Sequence, residues 1–237
     1  DAAFSTPSVK AVVVATTDKV YRNDDLGRAF IESDPLEGQD PYRASKVGTE
    51  SVIGAWQQIA KISGGPNVIS VRAGNVIGGG DFAENRLIPD CIKAHFSREV
   101  IAIRNPESIR PWQHVIEPLF GYLELGKKLF ESPAHYSKAY NFGPNISDTL
   151  SVANMVEKSI EYWGNGNFSI EQNSNNPHEA GLLKLDISRS LSELNWKPVF
   201  NAEIAVERTI AWYKGYYEGI SAKKLVENDI EFYLSIK

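Results

Sequence analysis

Residues 11–17 read AVVVATT, and Asp18 and Lys19 follow directly. An apolar run of this length, rich in β-branched residues, is typical of a strand buried on both faces of a parallel sheet. It therefore predicts a buried parallel strand over residues 11–17. In open α/β sheets, ligands bind outside the carboxyl ends of the strands. Hydroxyl, carboxylate and amine side chains from residues 16–19 would project at that end, which makes it a candidate site.

The residues after this run continue with a strand-helix rhythm. Residues 22–40 are polar and contain Gly and Asp, so they predict a loop. A helix is predicted from Asp40-Pro41 to about residue 62, because Asp is a good N-cap and Pro suits the first helical position. Residues 67–72, NVISVR, predict the next buried strand, and residues 86–97 predict the next helix. This order indicates an α/β fold with a parallel sheet.

The pattern is less regular after about residue 80, which predicts a second lobe interleaved with the first. Short strands are predicted over residues 100–103, 112–115, 139–142 and 168–170, and helices over residues 116–131, 151–163, 188–194, 202–218 and 221–236. The helix 202–218 carries an aromatic face that is predicted to pack in the core. Its members are Trp212, Tyr213, Tyr216 and Tyr217.

The composition is that of an ordinary globular protein, with 42% hydrophobic and 23% charged residues. A net charge of −5 gives no indication of a nucleic-acid or membrane partner. No apolar run approaches the roughly 20 residues that cross a bilayer, and no signal peptide is visible, so a cytoplasmic location is expected. Cys91 is the one cysteine and is predicted to be a small buried residue, which excludes a disulfide framework. The four histidines lack ligand spacing, so no metal is expected.

Tyr42 and Lys46 open the helix that follows the first strand. Residues four apart share one helical face, so the two side chains can point at one spot. A phenol is a poor base at neutral pH, and a neighbouring ammonium favours its ionised form. The pair is therefore a candidate base that could take a proton from a substrate hydroxyl. The motif alone is weak, because many surface helices carry a Tyr beside a solvated Lys. The Thr16–Lys19 segment could likewise be a simple turn or cap.

Several segments together resemble one enzyme family, the CDP-glucose 4,6-dehydratases of the extended short-chain dehydrogenase/reductases. They are VVVATTDKVY, DPYRASK, VRAGNVIGGGDF, NRLIPD, IRPWQHV and PHEAGLLKLD, in this order, and the resemblance extends from about residue 8 to about residue 218. Lys19 after Asp18 is the discriminating feature, since dTDP-glucose dehydratases carry Asp-Glu there and epimerases usually carry small residues. The resemblance implies a lyase that dehydrates CDP-glucose to CDP-4-keto-6-deoxyglucose with NAD.

The resemblance also implies roles for single residues. Tyr42, helped by Lys46 and Thr17, would deprotonate the C4 hydroxyl while a hydride leaves C4 for NAD. Lys19 would then remove the C5 proton, and Asp18 would protonate the departing C6 hydroxyl. The implied cofactor-binding residues are Thr16, Tyr42, Lys46, Asn75, Val76 and Ile77. The implied substrate-binding residues are Asn75, Arg86, Arg110, His114 and His178.

Some of these positions have equally good structural explanations. Either His could be a satisfied structural residue, and Trp112 could lie beside the nucleotide or fill the core. Arg86 and Arg110 are expected at the diphosphate because a guanidinium fork matches phosphate oxygens.

The glycine-rich turn that holds a dinucleotide pyrophosphate, G-x-G-x-x-G, occurs nowhere in the 237 residues. By the resemblance, residue 11 begins the fifth strand of the cofactor domain, so on the order of 100 residues would be absent. We therefore expect a truncated form: residues 1–80 would be the remainder of a Rossmann-type dinucleotide-binding domain, and residues 81–237 mainly a small α/β substrate lobe.

The strand 11–17 would then lie at an exposed sheet edge and favour association, as a homodimer or with a separate amino-terminal half. Two alternatives to the dehydratase remain: a non-catalytic remnant that binds a nucleotide sugar or a partner, and another NDP-sugar dehydratase or epimerase.

Overall fold

The computed structural model describes residues 1–23, 27–132, 136, 139–170 and 184–237. The chain divides into two compact units, each assembled from three segments. Unit 1 comprises Asp1–Gly74, Pro118–Gly143 and Leu183–Lys197, and unit 2 comprises Asn75–Glu117, Pro144–Leu182 and Pro198–Lys237. The strands are β1 (Ala11–Ala15), β2 (Ala29–Phe30), β3 (Asn67–Ala73), β4 (Asn75–Ile77), β5 (Ile101–Ile103), β6 (Ile109–Arg110), β7 (Trp112–His114), β8 (Tyr140–Phe142), β9 (Leu150–Ser151), β10 (Phe168–Ile170) and β11 (Lys184–Leu185). The helices are α1 (Pro41–Ser63), α2 (Leu87–Ser97), α3 (Ile116–Glu131), α4 (Val152–Trp163), α5 (Ser188–Leu194), α6 (Ala202–Tyr217) and α7 (Ala222–Ile236), and a 3-10 helix spans Asp18–Val20.

Unit 1 contains a parallel sheet in the order β1-β3-β8. In its register Ala11 lies opposite Asn67 and Ala15 opposite Val71. The predicted α/β fold with a parallel sheet is confirmed. The predicted end of the first strand is wrong, because β1 stops at Ala15 and the chain turns into the 3-10 helix. Thr17 caps this turn by accepting a hydrogen bond from the Lys19 N–H.

Helix α1 begins where the sequence predicts. The Asp40 side chain accepts a hydrogen bond from the Arg43 N–H at 2.9 Å, and Pro41 occupies the first turn. This satisfies one of the amide groups that a helix start leaves without a partner. Gly64, with φ 75°, ends the helix in a conformation that glycine adopts at little cost. The helix packs against β3 and also contacts the 3-10 helix.

The predicted loop 22–40 contains a short strand that the sequence did not indicate. β2 within it pairs in parallel with β11, and Tyr21 forms an isolated antiparallel bridge with Leu36. The short strands β4, β6, β9 and β11 were likewise not predicted from the sequence.

The core of unit 1 lies between the sheet and its helices. It is built from Ile69, Val71, Leu125, Leu129, Tyr136, Tyr140, Phe142, Ile187, Leu194 and Trp196. Gly121 on α3 sits directly on the Phe142 ring: a Cβ there would come within 2.2 Å of Phe142 Cε1. The close approach of α3 to the sheet therefore requires glycine at position 121.

The described part of unit 2 contains three two-stranded sheets, with β4-β7 and β5-β10 parallel and β6-β9 antiparallel. Its main core joins α2, α4, α6 and α7. Cys91 is fully buried, as predicted, and burial raises the pKa of its thiol to about 12. The predicted aromatic core face of α6 is correct for Trp212 and Tyr213 only, because Tyr216 and Tyr217 are about 40% exposed. Trp112 packs against this core.

Within the described parts of the chain, no helix combines the length and apolar character that a membrane span needs.

Candidate functional site

The carboxyl end of β1 brings three predicted residues together. Thr17 and Asp18 are buried, and the Thr17 hydroxyl donates to Asp18 Oδ1 at 3.1 Å. Lys19 reaches back from the 3-10 helix so that its Nζ lies 3.6 Å from Asp18 Oδ1. The Lys19 side chain remains 41% exposed. A hydroxyl, a buried carboxylate and an accessible ammonium thus lie next to one another, while Thr17 also caps the turn.

Tyr42 and Lys46 lie in the first two turns of α1, the helix that contacts the 3-10 helix. Lys46 Nζ is 6.0 Å from the centroid of the Tyr42 ring. Tyr42 is 52% exposed, so its ring is accessible to a ligand. Tyr42 and Lys46 are thus close together, as predicted, and Tyr42 is not packed in a core.

A buried polar network fixes α1 to the end of β1. Glu50 accepts hydrogen bonds from the Thr16 hydroxyl at 2.6 Å and from Arg72 Nε and Nη2 at 2.9 and 2.8 Å. Arg72 Nη1 also donates to the Tyr21 hydroxyl, which in turn donates to Asn141 Oδ1. Thr16 was predicted to contact the cofactor, but its hydroxyl is engaged inside the protein. Its observed contacts position the strand end relative to the helix.

The charges of this network determine its protonation states. Burial alone would raise the pKa of Glu50, but the hydrogen bonds and charge of Arg72, with the Thr16 hydroxyl, hold it below its usual value. Burial raises the pKa of Tyr21 to about 12, despite the nearby Arg72 guanidinium. At neutral pH the Glu50–Arg72 pair is therefore ionised and Tyr21 keeps its proton.

Glu50 and Arg72 were missed at the sequence level. Glu50 lies four residues after Lys46, on the same helical face, which is the only local signal for it. Arg72 lies inside a run that reads as a buried apolar strand, and only the fold shows that its partner is on the neighbouring helix.

Further candidate residues belong to unit 2. Asn75, Val76 and Ile77 make up β4, which pairs with β7. Ile77 is buried in the core, and its carbonyl accepts from the Val115 N–H at 2.7 Å. A contact of Ile77 with a cofactor through its side chain is therefore not available in this arrangement, whereas Val76 is exposed.

The two arginines differ in their surroundings. Arg86 is exposed and forms an ion pair with Asp81, with Nη1 3.0 Å from Oδ2. Arg110 is half-buried in β6, opposite Leu150 of β9.

His114 is 2% exposed, and its Nδ1 accepts a hydrogen bond from the Ile116 N–H at 3.3 Å. Nε2 must then carry the hydrogen in the neutral ring, and it has no partner among the described residues. Burial, with the charge of Arg208, lowers the pKa of His114 to about 4. His114 is thus a neutral, buried N–H donor at physiological pH. His178, also a predicted substrate ligand, lies outside the described residues.

Over the described ranges, no group of three or more His, Cys, Asp or Glu residues has the geometry to hold a metal ion.

Comparison with known proteins places these residues in a family. The profile of the NAD dependent epimerase/dehydratase family matches residues 1–143, which include Thr17, Lys19, Tyr42 and Lys46. The chain belongs to this family. The match covers more than half of the sequence and contains the strand end and the helix described above.

Individual relatives are similar to this chain along most of its length. The chain is 38% identical over 233 residues to the CDP-glucose 4,6-dehydratase of Salmonella typhimurium, an alignment that covers 96% of this chain and 65% of that protein. It is 24% identical over 227 residues to the mouse dTDP-D-glucose 4,6-dehydratase, covering 92% of this chain and 60% of the relative. The chain thus spans somewhat less than two thirds of the length of these relatives.

Solved structures show the same fold at low sequence identity. A dTDP-glucose 4,6-dehydratase from Bacillus anthracis, in complex with NAD, superposes with a TM-score of 0.72 at 21% identity, covering 91% of this chain and 64% of that one. A UDP-galactose 4-epimerase superposes with a TM-score of 0.68 at 20% identity, covering 85% and 62%.

Proposed function

We propose that this chain supplies the acid-base residues of an NAD-dependent CDP-glucose 4,6-dehydratase, which converts CDP-glucose to CDP-4-keto-6-deoxyglucose. The observation that carries the proposal is the contact of Lys19 with buried Asp18 at the end of β1. A 4,6-dehydratase needs both a base for C5 and an acid for the C6 hydroxyl, whereas a 4-epimerase needs neither. The 38% identity to a CDP-glucose 4,6-dehydratase supports the choice of substrate.

The exposed polar groups fit the nicotinamide end of the cofactor. When bound, NAD supplies a hydride acceptor and donor. Tyr42 is exposed and Lys46 lies beside its ring, so neither side chain is packed in the core. Their hydroxyl and ammonium groups would suit contact with the nicotinamide ribose. Asn75 and Val76 are the further residues proposed for this end. The pyrophosphate needs a glycine-rich turn at a helix start, and G-x-G-x-x-G occurs nowhere in this sequence.

The proposed acid-base roles follow from the positions of the groups. Tyr42, with Lys46 close to it and Thr17 assisting, takes the proton of the sugar C4 hydroxyl. The ketone formed at C4 acidifies the C5 hydrogen, and the accessible Lys19 side chain takes that proton at Nζ. Asp18 donates a proton to the departing C6 oxygen, which leaves as water. Asp18 and Lys19 act side by side, with Lys19 Nζ 3.6 Å from Asp18 Oδ1.

The nucleotide sugar is proposed to bind through residues of unit 2. Arg86 and Arg110 would hold the diphosphate, since guanidinium groups match phosphate oxygens. The neutral Nε2–H of His114 would donate to an acceptor on the substrate, and Asn75 would add an amide. The assignment of residues 1–80 to the dinucleotide and of residues 81–237 mainly to the nucleotide sugar remains part of the proposal.

A second candidate function is binding of the nucleotide sugar without catalysis. We further propose a cytoplasmic protein that associates as a homodimer or through the outer edge of β1, which pairs with β3 only among the described strands. Light scattering tests this association, and a monomer at all concentrations would contradict it.

The proposed activity is tested by incubating the 237-residue chain with NAD and CDP-glucose and following the loss of water by mass spectrometry. Calorimetric titration with CDP-glucose, UDP-glucose and dTDP-glucose measures binding in parallel. Turnover that is abolished by Tyr42→Phe, and retained by Tyr217→Phe on the surface of α6, supports the dehydratase. Binding without turnover supports the second candidate, and a chain that binds none of the three nucleotide sugars contradicts both.

A further inference from the structure

We infer that Tyr213 and Asp81 are positioning residues for the nucleotide sugar: Tyr213 anchors the backbone of Asp81, and the Asp81 carboxylate orients Arg86. This inference rests on the proposed function, in which Arg86 binds the diphosphate. It goes beyond that function because neither Tyr213 nor Asp81 was predicted from the sequence to take part in binding. The residues 78–86, which connect β4 to α2, are called the 78–86 loop below.

Tyr213 anchors the backbone of the 78–86 loop to α6. The Tyr213 hydroxyl donates to the Asp81 carbonyl at 2.5 Å and lies 3.4 Å from the Gly78 carbonyl. Tyr213 is fully buried on α6, so its position is set by the core of unit 2. Burial raises the pKa of this hydroxyl to about 12, which keeps it a donor at any physiological pH. A rigid helix therefore holds two points of the 78–86 loop.

A close approach next to the anchor reinforces it. The Trp212 ring packs so tightly on Gly79 that a Cβ there would lie 2.0 Å from Trp212 Cδ2. Phe82 adds an edge-on contact with the Tyr213 ring, with centroids 5.7 Å apart. The backbone of the 78–86 loop is thus packed on α6 at Gly79 and hydrogen-bonded to it at Asp81.

The Asp81 side chain links the anchored loop to Arg86 through an ion pair. One carboxylate oxygen accepts from the Ala83 N–H at 3.0 Å, and the other lies 3.0 Å from Arg86 Nη1. The remaining nitrogens of Arg86 contact no acceptor in the described part of the chain, and its side chain is 64% exposed. The guanidinium is therefore oriented by one edge and keeps its other donors for an anion.

The expected consequence is a change in affinity rather than in chemistry. An exposed ion pair such as Asp81–Arg86 holds its geometry weakly, because solvent screens it and both side chains lose entropy. The orientation of Arg86 then depends on how firmly the backbone of Asp81 is held. Releasing that backbone lets Arg86 sample positions that do not bind, so the dissociation constant of the nucleotide sugar rises while acid-base catalysis at β1 is unchanged.

The test compares Tyr213→Phe with Tyr217→Phe in the 237-residue chain. Both variants remove one hydroxyl from α6, but that of Tyr217 has no hydrogen bond among the described residues. Loss of the Tyr213 hydroxyl, whose short contact is with the Asp81 carbonyl, is expected to raise the Kd for CDP-glucose about fivefold. The Kd of Tyr217→Phe should stay at the parent value. Where turnover is measured, Tyr213→Phe should raise KM by the same factor and leave kcat within about twofold.

The double variant with Tyr213→Phe and Arg86→Ala tests whether the effect of Tyr213 depends on Arg86. If Tyr213 acts through Arg86, adding Tyr213→Phe to Arg86→Ala should not raise Kd further. Gly79→Ala, which must displace the 78–86 loop, should mimic Tyr213→Phe, whereas Gly126→Ala in the open part of α3 should not. A fivefold effect that persists in the Arg86→Ala background, or an unchanged Kd in Tyr213→Phe, overturns this inference but leaves the proposed function standing. A parent chain that binds no nucleotide sugar overturns the proposed function and this inference with it.

Discussion

Glu50 and Arg72 form a buried, two-point ion pair, with Oε1 2.9 Å from Nε and Oε2 2.8 Å from Nη2. Glu50 belongs to the helix that carries Tyr42 and Lys46, and Arg72 belongs to the strand next to β1. The Thr16 hydroxyl completes the link by donating to Glu50. This ion pair and the Thr16 hydroxyl therefore hold the helix that carries Tyr42 against the strand end that precedes Lys19. Among the described residues, the pair makes no direct contact with Tyr42 or Lys19.

The first prediction concerns removal of one member of this pair. Glu50→Ala leaves the Arg72 guanidinium buried without its carboxylate, which typically costs about 3–5 kcal/mol. We expect a corresponding loss in the free energy of unfolding, measured by urea denaturation. Glu131→Ala, at the exposed end of α3, is the matched control and should change stability by less than about 0.5 kcal/mol. Equal stabilities of the two variants would show that the pair is not a structural link.

A second prediction concerns pH. Burial raises the pKa of Glu117, although the Phe200 and Val199 N–H groups and the Tyr233 hydroxyl bind the carboxylate. Since the folded state then binds the proton more tightly than the unfolded state, the stability gained by protonation is present in acid and is lost as pH rises above the ordinary value of 4.5. Glu117→Gln removes this titration.

The measurement is the Tm of the parent chain and of Glu117→Gln between acid and neutral pH. The Tm of the parent should fall relative to that of the variant as pH rises from about 4.5. A parent that gains stability relative to Glu117→Gln over this range would show that the backbone amides outweigh burial. Glu131→Gln serves as the control for an exposed carboxylate.

A third prediction uses two glycines of one helix. Gly121→Ala would place a Cβ 2.2 Å from the Phe142 ring, while Gly126 has open space around its position. Overpacking should cost Gly121→Ala about 1–3 kcal/mol. The same substitution at Gly126 should stabilise the chain by about 0.5–1 kcal/mol, because alanine favours a helix interior. Urea denaturation of both variants checks the opposite signs, and a stabilising Gly121→Ala would contradict the packing of α3 on β8.

Local patterns were sufficient where a few neighbouring residues determine the structure. The Asp40-Pro41 pair located the start of α1, and the apolar runs located β1 and β3, because caps and burial act within single elements. Long-range pairings were not predictable in this way. The partner of Glu50 is 22 residues away on a strand, and that of Tyr213 is 132 residues away in a loop. Nothing in the local sequence distinguishes Arg72 from a residue at a solvated strand end.

The same contrast holds within the candidate site. Thr17, Asp18 and Lys19 are adjacent in the chain, so their proximity could be predicted, and α1 does contact the turn that carries them. The sequence could not show that Thr16 binds Glu50, or that Ile77 turns into the core. Both outcomes depend on which face of a strand meets a neighbouring element.

The last prediction separates the base at C5 from the residues that bind. In the proposed mechanism Lys19 removes the C5 proton, so Lys19→Gln should lower product formation by about 10²–10⁴-fold, the range of general acid-base catalysis. The Kd for CDP-glucose should change by less than about threefold, since Lys19 pairs with Asp18 and is not among the residues proposed to bind the diphosphate. Calorimetry measures the Kd, and deuterium incorporation at C5 from labelled water reports the proton transfer itself. Lys61→Gln, at the exposed end of α1, is the matched control. Retained deuterium incorporation in Lys19→Gln would assign the base to another residue, whereas equal losses of binding and turnover would make Lys19 a substrate ligand.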